Sequence, residues 1–443
     1  MIKWLDERLQ VKALMASLFA HPVPKRSSYL DYLGFATLFT VINQAVTGIL
    51  LATVYVPSAT EAYNSIQTVQ NSPMGHFVRS LHSWGANFMV VLVILHLLRV
   101  FYVGAYKRPR ELTWLMGGIL LVGTLGLAFS GYLLPWDQEG YWATMVGSAM
   151  AGYVPVFGDY LLQVLRNGTQ VTGTTLTRFY SLHMLTLPIL ILLAFIPHFF
   201  FVLRQGMAST DELSDAKKRG EDVDAVSIPF WPNVAFRMVL FMFIVGVALW
   251  VTAYLLPKGL GAPADPLNKA NYTPEPAWYF FGVYQLLKYF PGKLDVLAMV
   301  GLPVLGIGGL FALPWLDRNP NRKARKRPIA MSVAAVLVVG MTFLTYQRMS
   351  SVPKALATGV VQNPSYKKDV QPILQTSCIQ CHDSIASYSG TLAKVTPGNP
   401  GSSPIYQHLT GTVPPQMPLG KDPLKKDQLQ TIKNWIQDGA KNN

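Results

Sequence analysis

The chain has 443 residues, 51% of them hydrophobic and only 14% charged, against about 25% charged in ordinary soluble domains. Lysine plus arginine number 37 and aspartate plus glutamate 23, a net charge of +14; in a soluble chain this points to nucleic acid, in a polytopic membrane chain to cytoplasmic loops. The two cysteines, Cys378 and Cys381, lie three positions apart, which excludes a disulfide framework and a four-cysteine zinc or iron–sulfur site.

Residues 1–20 mix charge with apolar residues at helical spacing and predict an interfacial amphipathic helix. Seven apolar runs follow, near 31–56, 77–105, 113–134, 178–204, 233–256, 294–316 and 328–348. Each has about 20 residues or more, enough for a helix rising 1.5 Å per residue to cross roughly 30 Å of hydrocarbon. Lys25 and Arg26 precede the first run, and Lys107, Arg108 and Arg110 join the second to the third. Lys217, Lys218 and Arg219 lie between the fourth and fifth, and Arg318, Arg322, Lys323, Arg325, Lys326 and Arg327 between the sixth and seventh. Seven crossings put all these clusters on one side, expected to be the cytoplasm, and the C-terminus on the other. Beyond about residue 350 the composition turns to Pro, Gly, Ser, Lys and Gln. Residues 351–443 carry nine Lys and five Asp, a net +4, and predict a small soluble domain on the outer side.

Four histidines lie inside spans, His82 and His96 in the second, His183 and His198 in the fourth. An ionisable side chain there is costly and marks function by default, although a lone one can be a structural histidine bonded between helices. Residues 82 and 96 are 14 apart, close to four helical turns, so they share a face about 21 Å apart along the axis. Residues 183 and 198 are 15 apart. The two spans run in the same direction, so His82 is expected to meet His183 near the outer side and His96 to meet His198 near the inner side. Two stacked pairs suit two bis-histidine b-type haems better than zinc. Gly34 and Gly48 in the first span, and Gly117 and Gly131 in the third, repeat the 14-residue spacing and leave room beside the backbone for a macrocycle; glycine pairs also serve plain helix packing. Arg79 and Arg99 lie one turn from His82 and His96, where a guanidinium can pair with a haem propionate or act as an interfacial anchor.

The segments VRSLHSWGANFMVVLVILHLLRV, RPRELTW, GYLLPWDQEGYWA and TLTRFYSLH closely resemble cytochrome b of quinol:cytochrome c reductases, most of all the cytochrome b6f and menaquinol-oxidising branch. Residues 229–348 resemble the subunit IV-like partner, here fused to the first four helices. The resemblance covers about 1–348. It implies quinol oxidation near the outer face, built from PWDQEGYWA and the loop before the sixth span, and a quinone-reduction site near the inner haem, with Arg204 and Ser27 or Ser28 as candidates. The family pattern in that loop is Pro-Glu-Trp-Tyr; here Pro274-Glu275-Pro276-Ala277-Trp278-Tyr279 has alanine at the usual glutamate position. Quinol oxidation releases two protons and needs an outer acceptor; Glu275 is the candidate, with Asp137 and Tyr279 as alternatives. The extra covalent haem of the b6f branch hangs on a cysteine in the first helix, where this chain has Tyr32, so a thioether-linked haem is excluded there.

The string Cys378-Ile379-Gln380-Cys381-His382 is a CxxCH haem-attachment pattern, with His382 as one axial ligand. Met417, the only methionine after Met349, is the expected second ligand, with His408 as the alternative. SYKKDVQPILQ and TIKNWIQDGA resemble the first and last helices of small class I-like cytochromes c.

The sequence therefore predicts an all-α polytopic membrane bundle of seven transmembrane helices, the first four binding two haems b, plus a small α-helical class I-like cytochrome c domain. The expected divisions are 1–220 (dihaem four-helix domain), 221–350 (three-helix, subunit IV-like) and 351–443 (cytochrome c domain). The resemblance implies a quinol:cytochrome c oxidoreductase subunit in a bacterial inner membrane. Its expected partners are a Rieske iron–sulfur protein, the quinone pool and a cytochrome c acceptor in a homodimeric complex, with no nucleic acid. Two rivals are a dihaem anchor feeding the quinone pool and a transporter with a tethered electron carrier.

Overall fold

The computed structural model describes residues 22–25, 28–205, 217, 219–266, 276–290, 294–351, 363–379, 382–418, 424 and 426–443. The expected N-terminal amphipathic helix, and the side chains of Arg26, Ser27, Lys218, Glu275 and Cys381, lie outside the described residues. Along the chain, α1 (Tyr29–Ala52) leads through α2 (Ala62–Asn71) into α3 (Pro73–Tyr102) and α4 (Glu111–Gly131). Next come α5 (Gln138–Ala149), α6 (Gly158–Arg166) and α7 (Gly173–Gln205), then α8 (Phe230–Leu255), α9 (Phe281–Leu287), α10 (Leu297–Leu316) and α11 (Pro328–Ser350). Helices α1, α3, α4, α7, α8, α10 and α11 are long and apolar enough to cross a bilayer, and they coincide with the seven apolar runs.

Two features of the spans go beyond the sequence reading for identifiable reasons. Helix α3 starts four residues before its apolar run because Ser72 caps it, its hydroxyl accepting from the Gly75 N–H at 3.3 Å with Pro73 in the first turn. Helix α7 contains a π-turn at Leu182–Thr186. A π-turn holds an extra residue, so the 15-residue step from His183 to His198 turns through nearly the angle that 14 residues cover in α3. The histidine faces of α3 and α7 thereby stay in phase.

Packing pairs α1 with α3 and α4 with α7, while α8 lies on α3 and α1 and α10 lies on α4. Leu33, Ala36 and Leu92 are buried together beneath Phe241 and Val245, and Leu81 packs with Leu249 and Ala253. The apolar shell of α7, α10 and α11 stays largely exposed within the chain, as a lipid-facing surface does. Among the described residues the only strands are Pro22–Pro24 and Ser227–Pro229, paired antiparallel.

Two polar knots tie the last three spans to the first four. At the Lys/Arg-rich end, Lys107 Nζ lies 2.8 Å from Asp317, and the Tyr106 hydroxyl donates to the same carboxylate. The fully buried Arg327 donates to the Tyr106 oxygen at 2.9 Å and to the Phe101 and Tyr102 carbonyls at 2.9 and 2.7 Å. At the other end, the loop after α8 is held from three directions. Arg79 donates to the Lys258 and Gly259 carbonyls at 2.8 and 3.2 Å, the Tyr63 hydroxyl to the Gly261 carbonyl at 2.8 Å, and the Gln138 N–H to the Ala262 carbonyl at 2.9 Å.

Gln347–Asn443 form a second compact unit, which contains α12 (Gln371–Ser377), α13 (Tyr388–Leu392), α14 (Pro404–Thr410) and α15 (Lys426–Gln437). Its core joins Tyr366, Val370, Ile373 and Leu374 from the start of the unit to Ile432, Trp435 and Ile436 from its end. The Tyr366 and Trp435 rings lie 5.4 Å apart, so the two terminal segments that carry the cytochrome c resemblance pack on each other.

Candidate functional site

The histidines meet in the expected pairs. The rings of His82 and His183 face each other with centroids 6.2 Å apart, a separation that leaves room for one metal ion with two metal–nitrogen bonds of about 2 Å each. His96 and His198 line one cavity, with Gly34, Gly117, Phe195 and Arg99 also in its wall.

Three of the four Nδ1 atoms are engaged by the neighbouring helix. His82 Nδ1 lies 2.9 Å from the Thr47 hydroxyl, whose own hydrogen goes to the Asn43 carbonyl at 2.6 Å. The hydroxyl therefore accepts from Nδ1–H, and Nε2 keeps its lone pair. Ser130, donating to the Leu127 carbonyl at 3.2 Å, serves His183 Nδ1 in the same way at 3.1 Å. His198 Nδ1 donates to the Thr113 carbonyl at 2.9 Å. Fixing the tautomer through Nδ1 is what an Nε2 metal ligand requires. His96 Nδ1 and Arg99 Nε are buried polar atoms with no hydrogen-bond partner, both at the second pair.

The four glycines stand against the four imidazoles. A Cβ on Gly34 would meet the His96 ring at 3.1 Å, on Gly48 the His82 ring at 3.2 Å, on Gly117 the His198 ring at 3.2 Å and on Gly131 the His183 ring at 2.6 Å. What each glycine accommodates is thus the ring of the neighbouring helix's histidine, which lets α1 close on α3 and α4 close on α7. Arg99 pairs with Asp31 across the His96 cavity. Arg79, one turn from His82, is buried and spends its guanidinium on Gln70 at 2.6 Å and on the loop after α8. Of the inner-site candidates, Ser28 caps the first turn of α1 by accepting from the Leu30 N–H at 3.2 Å, and Arg204 lies 5.9 Å from the Phe200 ring centre.

The PWDQE segment makes a sharp corner between α4 and α5. Trp136 has φ of 52°, a left-handed conformation costly for a bulky side chain and one that clusters at functional sites. Asp137 caps α5 and is buried; its two oxygens accept from the N–H groups of Gly140 at 2.8 Å and Gly261 at 3.4 Å. Burial pushes its carboxyl above the ordinary aspartate range, against the pull of those backbone donors. Asp137 therefore staples the corner to the loop after α8. Glu139, two residues on, faces water and accepts from the Tyr132 hydroxyl. The sequence reading missed this pair. Burial pushes the Tyr279 phenol up to about 12, and Trp278 donates to the Asn87 side chain at 2.7 Å, fixing the segment after Ala277 against α3.

In the second unit, Cys378 and Met417 pack on the same hydrophobic core, and His382 is exposed. His408 is engaged: its Nδ1 lies 3.1 Å from the Pro415 carbonyl, and its own carbonyl accepts from the Met417 N–H at 2.9 Å.

Comparison with known proteins follows these features. A family model of cytochrome b/b6/petB matches residues 18–206, and one of cytochrome b(C-terminal)/b6/petD matches residues 263–362. The cytochrome bc complex cytochrome b subunit of Chlorobaculum thiosulfatiphilum is 33% identical over 353 residues, 78% of this chain and 80% of that one. The chain belongs to the cytochrome b family. This cytochrome b is also 43% identical over 210 residues to cytochrome b6 of Heliobacterium mobile, which covers 47% of this chain and 99% of that protein. A solved hyperthermophilic respiratory complex III contains a chain that superimposes with a TM-score of 0.71 at 28% identity, covering 79% of this chain and 91% of that one. Membership makes it a multi-pass membrane protein and implies haem b. The paired histidines, three of them with the tautomer fixed at Nδ1, and the glycine-backed rings fit that group.

Proposed function

We propose that this cytochrome b is the membrane subunit of a bacterial quinol:cytochrome c oxidoreductase, with its Lys/Arg-rich end in the cytoplasm and its C-terminal domain outside. It oxidises quinol, menaquinol by its branch resemblance, at the PWDQE end. One electron leaves through a separate Rieske protein and the other crosses the bilayer inside this chain to a quinone at the Lys/Arg-rich end. The observation that carries the reading is the pair of facing histidine couples at the two ends of one glycine-backed helix core. When bound, haems at these couples supply one-electron transfer along the membrane normal. His82 with His183, and His96 with His198, would hold them; Thr47, Ser130 and the Thr113 carbonyl orient the ligands; Arg99, in the wall of the second couple's cavity, would pair with a propionate there, and Arg79, committed to Gln70 and the loop after α8, would do so at the first only by exchanging those partners. Cys378 and Cys381 would hold a covalent haem c, with His382 and Met417 as its further ligands. Met417 is favoured over His408 because it packs on the same hydrophobic core as Cys378. Glu275 is the expected acceptor of the quinol proton, with Tyr279 and Asp137 as alternatives, Asp137 also holding the corner in place, and protons released outside and taken up inside make the reaction electrogenic. The complex is expected to be a homodimer.

The test is oxidant-induced reduction. A pulse of ferricyanide added to the purified complex with quinol present is expected to reduce the b haems transiently. Haems that are only oxidised by the pulse would favour a dihaem anchor feeding the quinone pool.

A further inference from the structure

We propose that Tyr132 and Glu139 form a proton relay that carries one of the two protons of quinol oxidation to the outer water. The inference rests on the quinol-oxidising reading above and names the exit that reading requires.

Tyr132 directly follows Gly131, the residue against which the His183 ring packs. Its hydroxyl donates to Glu139 across the strained Trp136 corner. The other carboxylate oxygen of Glu139 lies 3.9 Å from Lys258 Nζ, and the Glu139 and Lys258 side chains are 42% and 47% exposed. The pair thus joins a phenol, whose backbone follows the glycine that backs the first histidine couple, to a carboxylate in contact with water. Asp137, the other acid of the corner, cannot serve as an exit. It is buried, and both its oxygens hold backbone N–H groups. Ala277 brings no acid at the position where the family pattern has glutamate, which leaves room for a second exit beside Glu275. The titratable and charged groups facing Glu139 are Tyr132, Asp137 and Lys258.

The step balances without a phenolate. The departing quinol proton binds to the Tyr132 oxygen as the hydrogen of Tyr132 crosses to Glu139. The carboxylic acid then loses its proton to outer water, and the hydroxyl turns back. The quinol's electrons leave to the one-electron carriers of the proposed reaction, so both side chains end as they began.

The test uses the complete complex in membranes, with quinol-driven reduction of haem b followed from pH 6 to 9. E139Q and Y132F are each expected to slow reduction at pH 7 by about a hundredfold, the lower end of a general acid–base contribution. Their rates should recover as rising pH supplies other acceptors. E139D should retain most of the rate, and formate should restore E139A, which a merely structural role would not allow. A wild-type rate and pH profile in Y132F or E139Q overturns the relay, as does an E139A defect that formate leaves unchanged. Where E139Q fails to assemble, Y132F, which keeps the ring, decides the matter. Failure of quinol to reduce haem b in the unaltered complex refutes the quinol-oxidising reading itself, a result distinct from either.

Discussion

Replacing Gly131 with alanine is expected to remove or distort the haem at His82 and His183 while sparing the one at His96 and His198. The added Cβ would lie 2.6 Å from Cε1 of His183, whereas carbon atoms rest at about 3.5–4.0 Å. Ring and helix must separate by about 1 Å, and overpacking of this kind costs about 1–3 kcal/mol. At about 1.4 kcal/mol per tenfold, the occupancy of that couple falls by about 5- to 150-fold. Gly34, Gly48 and Gly117 have contacts of 3.1–3.2 Å, so their alanine variants need only a few tenths of an ångström and should keep both haems. Gly306, on α10 with nothing within 4 Å, is the control, where alanine adds about 1 kcal/mol of helix propensity. The assay is haem b per chain by pyridine haemochrome, with low-temperature redox difference spectra to tell the two haems apart. A G131A protein with two unshifted haems b, alongside a G48A protein that has lost one, would refute the reasoning.

Thr47→Val removes the acceptor that His82 Nδ1–H uses. It leaves a buried donor at a cost of about 1–3 kcal/mol and makes the ligand less basic, so redox titration should show only the haem at that couple moving to higher potential. Asp317 is held below the ordinary carboxylate range, because burial, which raises it, is outweighed by the hydrogen bonds from Lys107 and Tyr106. Its stabilisation is therefore complete above the unfolded chain's ordinary aspartate value of 3.8 and lost as pH falls through the lower folded value; melting in detergent from pH 7 down to 3 should show this loss, and D317N should cost about 3–5 kcal/mol at neutral pH. Glu275→Gln should slow quinol oxidation more than Asp137→Asn, whose cost should instead appear as a lower melting temperature; equal, unaffected rates in both would remove these carboxylates from the chemistry.

The spans and the histidine couples were legible in the sequence because both depend on periodicity within one helix: about 20 apolar residues for each span, and 14 or 15 residues between ligands. The glycines were legible as a repeat, but their neighbour was not, since only the packing of α1 on α3 and α4 on α7 puts each against an imidazole. The π-turn that brings the 15-residue step into phase leaves no compositional mark in LHMLT. Thr47 and Ser130 look like ordinary small polar residues in apolar runs, and their role appears only when the histidine of the neighbouring helix is placed beside them. Asp137 stands in the sequence as an alternative proton acceptor to Glu275; that its two carboxylate oxygens hold backbone N–H groups of Gly140 and Gly261 is visible only in the fold. Glu139 and Tyr132 are seven residues apart on either side of a left-handed tryptophan, a corner that helical spacing does not predict.

The central claim, two haems b in the bundle and one covalent haem c on the C-terminal unit of the same chain, is tested most directly by the pyridine haemochrome spectrum of the purified chain. The account predicts a b to c ratio of two to one, with the c fraction remaining on the polypeptide after acid–acetone extraction and lost in C378S. A single haem b per chain, or no haem that survives extraction, would contradict it.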